Sequence, residues 1–211
     1  MAEFPRPAGA PPVVAILRGV RPDEVVGLAS ALHEAGLRMI EVPLNSPDAL
    51  DSVGRLARAY GDTCLCGAGT VLTPADVDRV RDAGGRLIVT PNTDPAVIRR
   101  AVALELAVMP GFATATEAFQ ALQAGARCLK LFPAATYGPA HLKALRSVLP
   151  EDAAVYAVGG VVPATLSAWR AAGAAGVGIG GEFYRPGDAP AEVGRKARTL
   201  LAALDEAGFS R

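Results

Sequence analysis

Ala124-Gly125-Ala126-Arg127-Cys128-Leu129-Lys130-Leu131-Phe132 contains the joint that decides the fold. Ala-Gly ends a helical pattern, with glycine as the left-handed cap. The apolar run that follows is short enough to be a strand. The same joint recurs at Ala35-Gly36, Ala83-Gly84 and Ala172-Gly173, at intervals of 48, 41 and 48 residues, and each interval holds two strand–helix units. Strand-like runs fall at 13–17, 39–44, 64–68, 87–89, 106–109, 128–132, 155–158 and 177–179. Helical patterns of roughly ten or more residues follow each run. Several open on start signals: Pro22-Asp23-Glu24, Ser46-Pro47-Asp48, Thr73-Pro74-Ala75 and Thr93-Asp94-Pro95. Eight strands with eight crossovers predict an α/β chain folded as a single parallel (β/α)8 TIM barrel. A doubly wound open sheet is the alternative, but Arg18-Gly19-Val20-Arg21-Pro22 stands where its dinucleotide fingerprint would follow the first strand.

A chain of 211 residues is long enough for one such barrel, read here over 13–211 behind a flexible arm at 1–12 rich in Pro, Ala and Gly. Hydrophobic residues at 51% and charged residues at 20% mark a globular protein. The net charge is zero and no basic stripe occurs, which argues against nucleic acid and anionic membrane as partners. The start lacks the apolar core of a signal peptide and no apolar run reaches spanning length, so a cytoplasmic location is expected. Cys64, Cys66 and Cys128 fit a reducing compartment, and Cys64 and Cys66 read as core fillers. With only His33 and His141, both in helical stretches and read as surface residues, no metal site and no cofactor are expected.

Of 21 basic residues only Lys130, Lys143 and Lys196 are lysines. Lys130 lies in the apolar run Cys128-Leu129-Lys130-Leu131-Phe132. A buried amine can lose its proton and become a nucleophile, which a guanidinium effectively cannot. That points to imine chemistry. Strand alternation puts Lys130 on one face with Cys128 and Phe132, Glu41 opposite Ile40 and Val42, and Arg18 with Val14 and Ile16. If the all-aliphatic faces pack on the helices, Glu41 and Lys130 both point into the barrel. One reading is a nucleophilic amine with a carboxyl proton shuttle; the other is a buried salt bridge that only fixes packing. Gly159-Gly160 and Gly178-Ile179-Gly180-Gly181 follow the last two strands, where barrels often bind phosphate through backbone N–H groups. Tight turns are the alternative there.

Seven segments occur in order: Ala15-Ile16-Leu17-Arg18-Gly19, Ile40-Glu41-Val42-Pro43-Leu44-Asn45-Ser46-Pro47, Gly67-Ala68-Gly69-Thr70-Val71-Leu72, Thr90-Pro91-Asn92, Pro110-Gly111-Phe112-Ala113-Thr114-Ala115-Thr116-Glu117, Leu129-Lys130-Leu131-Phe132-Pro133-Ala134 and Ala157-Val158-Gly159-Gly160-Val161. Together they resemble the KDPG/KHG aldolase family of class I aldolases over nearly the whole chain after the arm. The resemblance implies retro-aldol cleavage of a phosphorylated sugar acid to pyruvate and glyceraldehyde 3-phosphate. It implies Lys130 as the imine-forming residue and Glu41 as general acid/base. It assigns Arg18 and Thr70 to the substrate's carboxylate end, Pro91 and Phe132 to the pocket wall, and Gly159, Gly160, Gly180 and Gly181 to the phosphate. Val158 and Asn45 stand where gluconate-type members usually carry threonine and arginine, which points to the C4 epimer, 2-dehydro-3-deoxy-6-phosphogalactonate. The gluconate epimer and 4-hydroxy-2-oxoglutarate are the alternatives. Gly181 departs from the serine common in the family and removes a hydroxyl from the phosphate end. Family members are often trimers, so a homotrimer is expected.

Trp169 reads as packing, and Glu117 as support for its helix N-terminus. Tyr137 reads as a loop residue at the functional face. Two other functions remain open at this level: a phosphate-binding barrel catalysing a non-imine reaction such as isomerisation, and a sugar-phosphate-binding protein without turnover.

Overall fold

The computed structural model describes residues 4–209. Met1, Ala2 and Glu3 of the expected arm, and Ser210 and Arg211 at the end of the expected barrel, lie outside them. The strands are β1 (Val13–Ile16), β2 (Met39–Pro43), β3 (Leu65–Gly69), β4 (Leu87–Val89), β5 (Ala107–Met109), β6 (Gly111–Phe112), β7 (Cys128–Leu131), β8 (Ala154–Val158) and β9 (Gly176–Ile179). Between them run α1 (Val25–Ala35), α2 (Ala49–Tyr60), α3 (Pro74–Asp82), α4 (Pro95–Ala103), α5 (Ala115–Gln123), α6 (Ala134–Arg146) and α7 (Leu166–Ala171), and α8 (Pro190–Glu206) closes the chain.

Among the described residues the strand pairings are all parallel, in the order β5-β4-β3-β2-β1-β9-β8-β7-β6. Only Pro110 separates β5 from β6, so these are two halves of the fifth barrel strand. One half pairs with β4 and the other with β7. Proline has no N–H to give the ladder, but its carbonyl accepts the N–H of Lys130 at 2.8 Å and joins the two edges. The expected (β/α)8 barrel is thus the observed fold. Its nine strand segments occupy eight barrel positions.

The four Ala-Gly joints do what the sequence implied: Gly36, Gly84, Gly125 and Gly173 have φ of 109°, 92°, 107° and 91°. Thr73 and Asp94 cap α3 and α4 by accepting the N–H groups of Asp76 and Ala96. Glu117 completes a capping box with Thr114 at the start of α5. One helix is shorter than expected. The Gly159-Gly160 turn and a 3-10 turn at Pro163–Thr165 use up the crossover after β8, leaving α7 six residues. Tyr137 sits in the first turn of α6, ahead of a break at Gly138, and not in a loop.

The core has two shells. Alternate strand residues such as Ile40, Val42, Leu129 and Leu131 pack outward against the helices. Their neighbours fill the barrel: Val14, Ile16, Met39, Leu65, Leu87, Met109, Cys128, Tyr156 and Val158. Phe4 packs on this inner cluster at the strands' N-terminal end, 6.3 Å from the Tyr156 ring, and Ala10 is buried. Cys64 and Cys66 are buried in the outer shell as free thiols.

Inside the barrel, glycine is required where backbones crowd. A methyl group on Gly67 would lie 2.6 Å from the Leu87 carbonyl carbon. Strand backbone cannot rotate aside, so Gly67→Ala should lower stability by about 2–3 kcal/mol, the upper part of the usual overpacking range. Gly27, inside α1, is the contrast: a methyl there meets nothing closer than 3.7 Å. Gly27→Ala should add about 0.5–1 kcal/mol. Chemical denaturation of the two variants checks both signs.

Candidate active site

Glu41 occupies the inward position of β2, between Ile16 of β1 and Gly67 of β3. Its neighbours Ile40 and Val42 face the helices, which forces the carboxylate into the barrel. Lys130 is placed the same way by Leu129 and Leu131, between Gly111 and Tyr156. Both side chains are buried, at 2% and 6% exposure. Both therefore point into the barrel, as strand alternation in the sequence implied.

The carboxylate fits because β3 gives way to it. A Cβ on Gly69 would overlap the Glu41 carboxyl group. Leu65, Gly67 and Gly69 share the inward parity of β3, and glycines inside a strand signal a close approach. The sequence therefore held a sign of this contact that the reading of Glu41 alone missed. Glu41 Oε2 is buried without a hydrogen-bond partner among the described residues. Buried polar atoms are normally satisfied, so this one is poised for a group that enters the barrel.

Burial pushes the Glu41 carboxyl up to about 7, against the opposing pull of Lys130 and Arg18. Burial also lowers the Lys130 amine, which the Glu41 carboxylate raises and Arg18 lowers further. Desolvation thus favours the neutral form of each. The Lys130 Nζ lies 4.7 Å from the centroid of the Phe132 ring, two residues on along the same face.

Above Lys130 opens a cleft of about 560 Å³. Arg18, Lys130, Phe132 and Val158 line it together with Gly159, Gly160, Gly180 and Gly181. Ile16, Val161, Val162 and Glu182 also line it and were not singled out from the sequence. Nothing in the local sequence marked these residues, because their place in the wall comes from how loops meet. Gly159 and Gly160 have φ of 95° and 74°, a conformation that turns the chain sharply beside Phe132 and Ala135.

Asn45 and Thr70 line a neighbouring depression of about 580 Å³ with Leu72, Asp76 and Arg79. Asn45 is joined to the first cleft through Arg18, whose Nη1 donates to Asn45 Oδ1 at 2.9 Å. The N–H of Gly19 donates to Ser46 Oγ at 2.9 Å, so the loops after β1 and β2 are tied twice. Thr70 has a φ of 55°, unusual for a β-branched residue and a mark of local strain. Pro91 is half-buried against Gly111, where a side chain would strike its carbonyl. Thr90 and Thr93 tie the Pro91 loop to Gly111 through the Gly111 N–H and carbonyl. Tyr137, 42% exposed, stacks on His141 at 4.9 Å, and His141 Nε2 bonds the Ala113 carbonyl.

A family profile for KDPG and KHG aldolases matches residues 8–191. The 2-dehydro-3-deoxy-6-phosphogalactonate aldolase of Escherichia coli strain K12 is 50% identical over 196 residues, covering 93% of this chain and 96% of the relative. A solved structure described as native KDPGal superposes with a TM-score of 0.91 at 49% identity, covering 93% of this chain and 95% of the other. The KDPG aldolase of Legionella pneumophila, solved with pyruvate captured at low pH as a covalent carbinolamine, superposes at 0.81 with 27% identity. That match covers 91% of this chain and 95% of the other.

Because burial raises the Glu41 carboxyl, the stability of the fold depends on pH. The folded chain holds this proton to about pH 7, whereas an unfolded chain releases it near 4.5. The group's contribution is complete below 4.5 and is lost as pH rises through about 7. Lys130, lowered on folding, acts with the opposite sign: its contribution returns as pH rises towards 10.5. Glu41→Gln removes the carboxyl ionisation. Its stability should be close to that of the parent near about pH 5 and exceed it near about pH 8.5, by on the order of 3 kcal/mol at most. Denaturation midpoints at the two pH values check this, and an offset that does not change with pH would contradict it.

Proposed function

The chain belongs to the KDPG and KHG aldolase family, and from that membership we propose that it is a class I aldolase acting through an imine at Lys130. The substrate is 2-dehydro-3-deoxy-6-phosphogalactonate and the products are pyruvate and glyceraldehyde 3-phosphate. One observation carries the reading: a lysine and a glutamate both buried inside the barrel, within electrostatic reach of each other and each pushed by burial towards its neutral form. A pair kept only for packing would not leave a buried Glu41 oxygen without a partner, nor need an open cleft above the amine.

In this reading the neutral Lys130 amine attacks the C2 ketone, and the carbinolamine loses water to leave a protonated imine. Glu41, titrating close to neutrality, delivers the proton that helps hydroxide leave. It then takes the proton of the C4 hydroxyl. The C3–C4 bond breaks, its electrons enter the imine to form an enamine, and C4 leaves as the aldehyde. Protonation of the enamine at C3 and hydrolysis of the imine release pyruvate and restore the amine. Arg18, which donates to Asn45, binds the substrate carboxylate in this reading, and Thr70, in the neighbouring depression, serves the same end. Pro91 and Phe132 shape the wall, and the backbone of Gly159, Gly160, Gly180 and Gly181 receives the phosphate.

Val158 supports the galactonate epimer. Its side chain is 3% exposed in the cleft wall and fills the space a Cβ on Gly178 would need. A valine there cannot donate to a C4 hydroxyl, so it gives the gluconate epimer no advantage. The proposal includes a homotrimeric state, a single barrel domain from residue 13 onward behind the N-terminal segment, and a cytoplasmic location. Among the described residues no helix is long and apolar enough to cross a membrane.

Borohydride reduction in the presence of pyruvate, read by peptide mass spectrometry, should place a stable adduct on Lys130. A chain that cleaves the substrate without trapping at Lys130 would refute the imine mechanism. One that binds the substrate without releasing pyruvate would be a sensor. Val158→Thr should shift the ratio of kcat/KM for the two epimers towards gluconate by about 5- to 100-fold, the worth of one buried hydrogen bond. An unchanged ratio would remove Val158 as the discriminating residue.

A further inference from the structure

Arg185 lies on the turn between β9 and α8, and that turn is fixed on several sides. Phe183 and Tyr184 are buried at 0% and 3% exposure, and their N–H groups donate to the Gly180 carbonyl at 2.8 and 3.0 Å. Asp188 Oδ2 accepts the Arg185 backbone N–H at 2.9 Å and pairs with Lys196 Nζ at 2.7 Å. Pro186 packs 3.0 Å from where a Cβ on Gly19 would be, one residue beyond Arg18. The Arg185 side chain itself is exposed and closes no ion pair among the described residues. Its Nε stands 4.0 Å from the position a Cβ on Gly181 would occupy.

The charges along the cleft make this placement significant. Its cationic lining residues are Arg18 and Lys130, which the proposed function engages with the substrate carboxylate and the imine. The glycine end has one charged lining residue, Glu182, and its sign opposes a phosphate dianion. Backbone N–H groups can orient a phosphate, but they bring no net charge to offset that carboxylate. A guanidinium one residue-width behind Gly181 does, and the missing side chain of Gly181 leaves its path open.

We propose that Arg185 is a phosphate-binding residue, reaching across Gly181 to pair with the terminal phosphate of the substrate. The inference rests on the aldolase reading above and adds to it a side-chain cation at the phosphate end. The glycine at 181 then exchanges a short neutral contact for a longer, charged one. Arginine suits the task because its planar fork can hold two phosphate oxygens at once.

The test is steady-state cleavage of 2-dehydro-3-deoxy-6-phosphogalactonate and of its unphosphorylated counterpart by the parent, Arg185→Ala and Arg185→Lys. Arg185→Ala should lower kcat/KM for the phosphorylated substrate by about 10- to 100-fold, mostly through KM, the scale of a charge-assisted hydrogen bond. The unphosphorylated substrate should be cleaved as by the parent, and pyruvate trapping at Lys130 should persist. Arg185→Lys should recover part of the loss. An equal effect on both substrates, or none on either, would overturn the proposal. Absence of trapping in the parent would instead overturn the aldolase reading, and this inference with it.

Discussion

Two ionisable side chains share an apolar barrel interior, and the surrounding residues are shaped by the cost of that burial. Moving a charge into such a site is expensive unless it is paired or neutralised. Here burial opposes both charges, the carboxylate upward and the amine downward, while their mutual attraction opposes the shift of each. The balance leaves a carboxyl that titrates near neutral pH and an amine disposed to lose its proton. Gly69 is part of the same arrangement, since any side chain there would displace the carboxylate. The unpartnered Glu41 oxygen marks where hydrogen bonding is left for an entering molecule.

The rest of the barrel holds this pair in place. Lys130 is anchored through its backbone to Pro110, the point at which the fifth strand changes partner. Threonines 90 and 93 fix that same segment, and with it the Pro91 loop. On the other side, Arg18 and Gly19 are tied to Asn45 and Ser46, which joins the first two loops into one rim. The chemistry therefore draws on elements separated by more than a hundred residues and brought together by barrel closure.

Much of the site could be read without coordinates because strand alternation is strict. Once Ile40, Val42, Leu129 and Leu131 are assigned to the helices, Glu41 and Lys130 have only the barrel to face. The Ala-Gly joints were equally legible, since a helix that ends in a left-handed turn needs glycine. Other features were not. The split at Pro110 depends on which neighbour each half meets, and the short α7 depends on the space taken by the Gly159-Gly160 turn. Tyr137 read as loop because Gly138 and Pro139 follow it, yet one helical turn forms before the break.

The barrel strands, the inward pair and the glycine-rich strand ends are already present in the sequence, because they follow from periodicity and residue chemistry within single segments. Three meetings appear only in the folded chain: Arg18 donates to Asn45, Gly69 makes room for Glu41, and Arg185 stands behind Gly181. Each of these is a meeting of two loops or strands, and the distance between such partners is set by barrel closure.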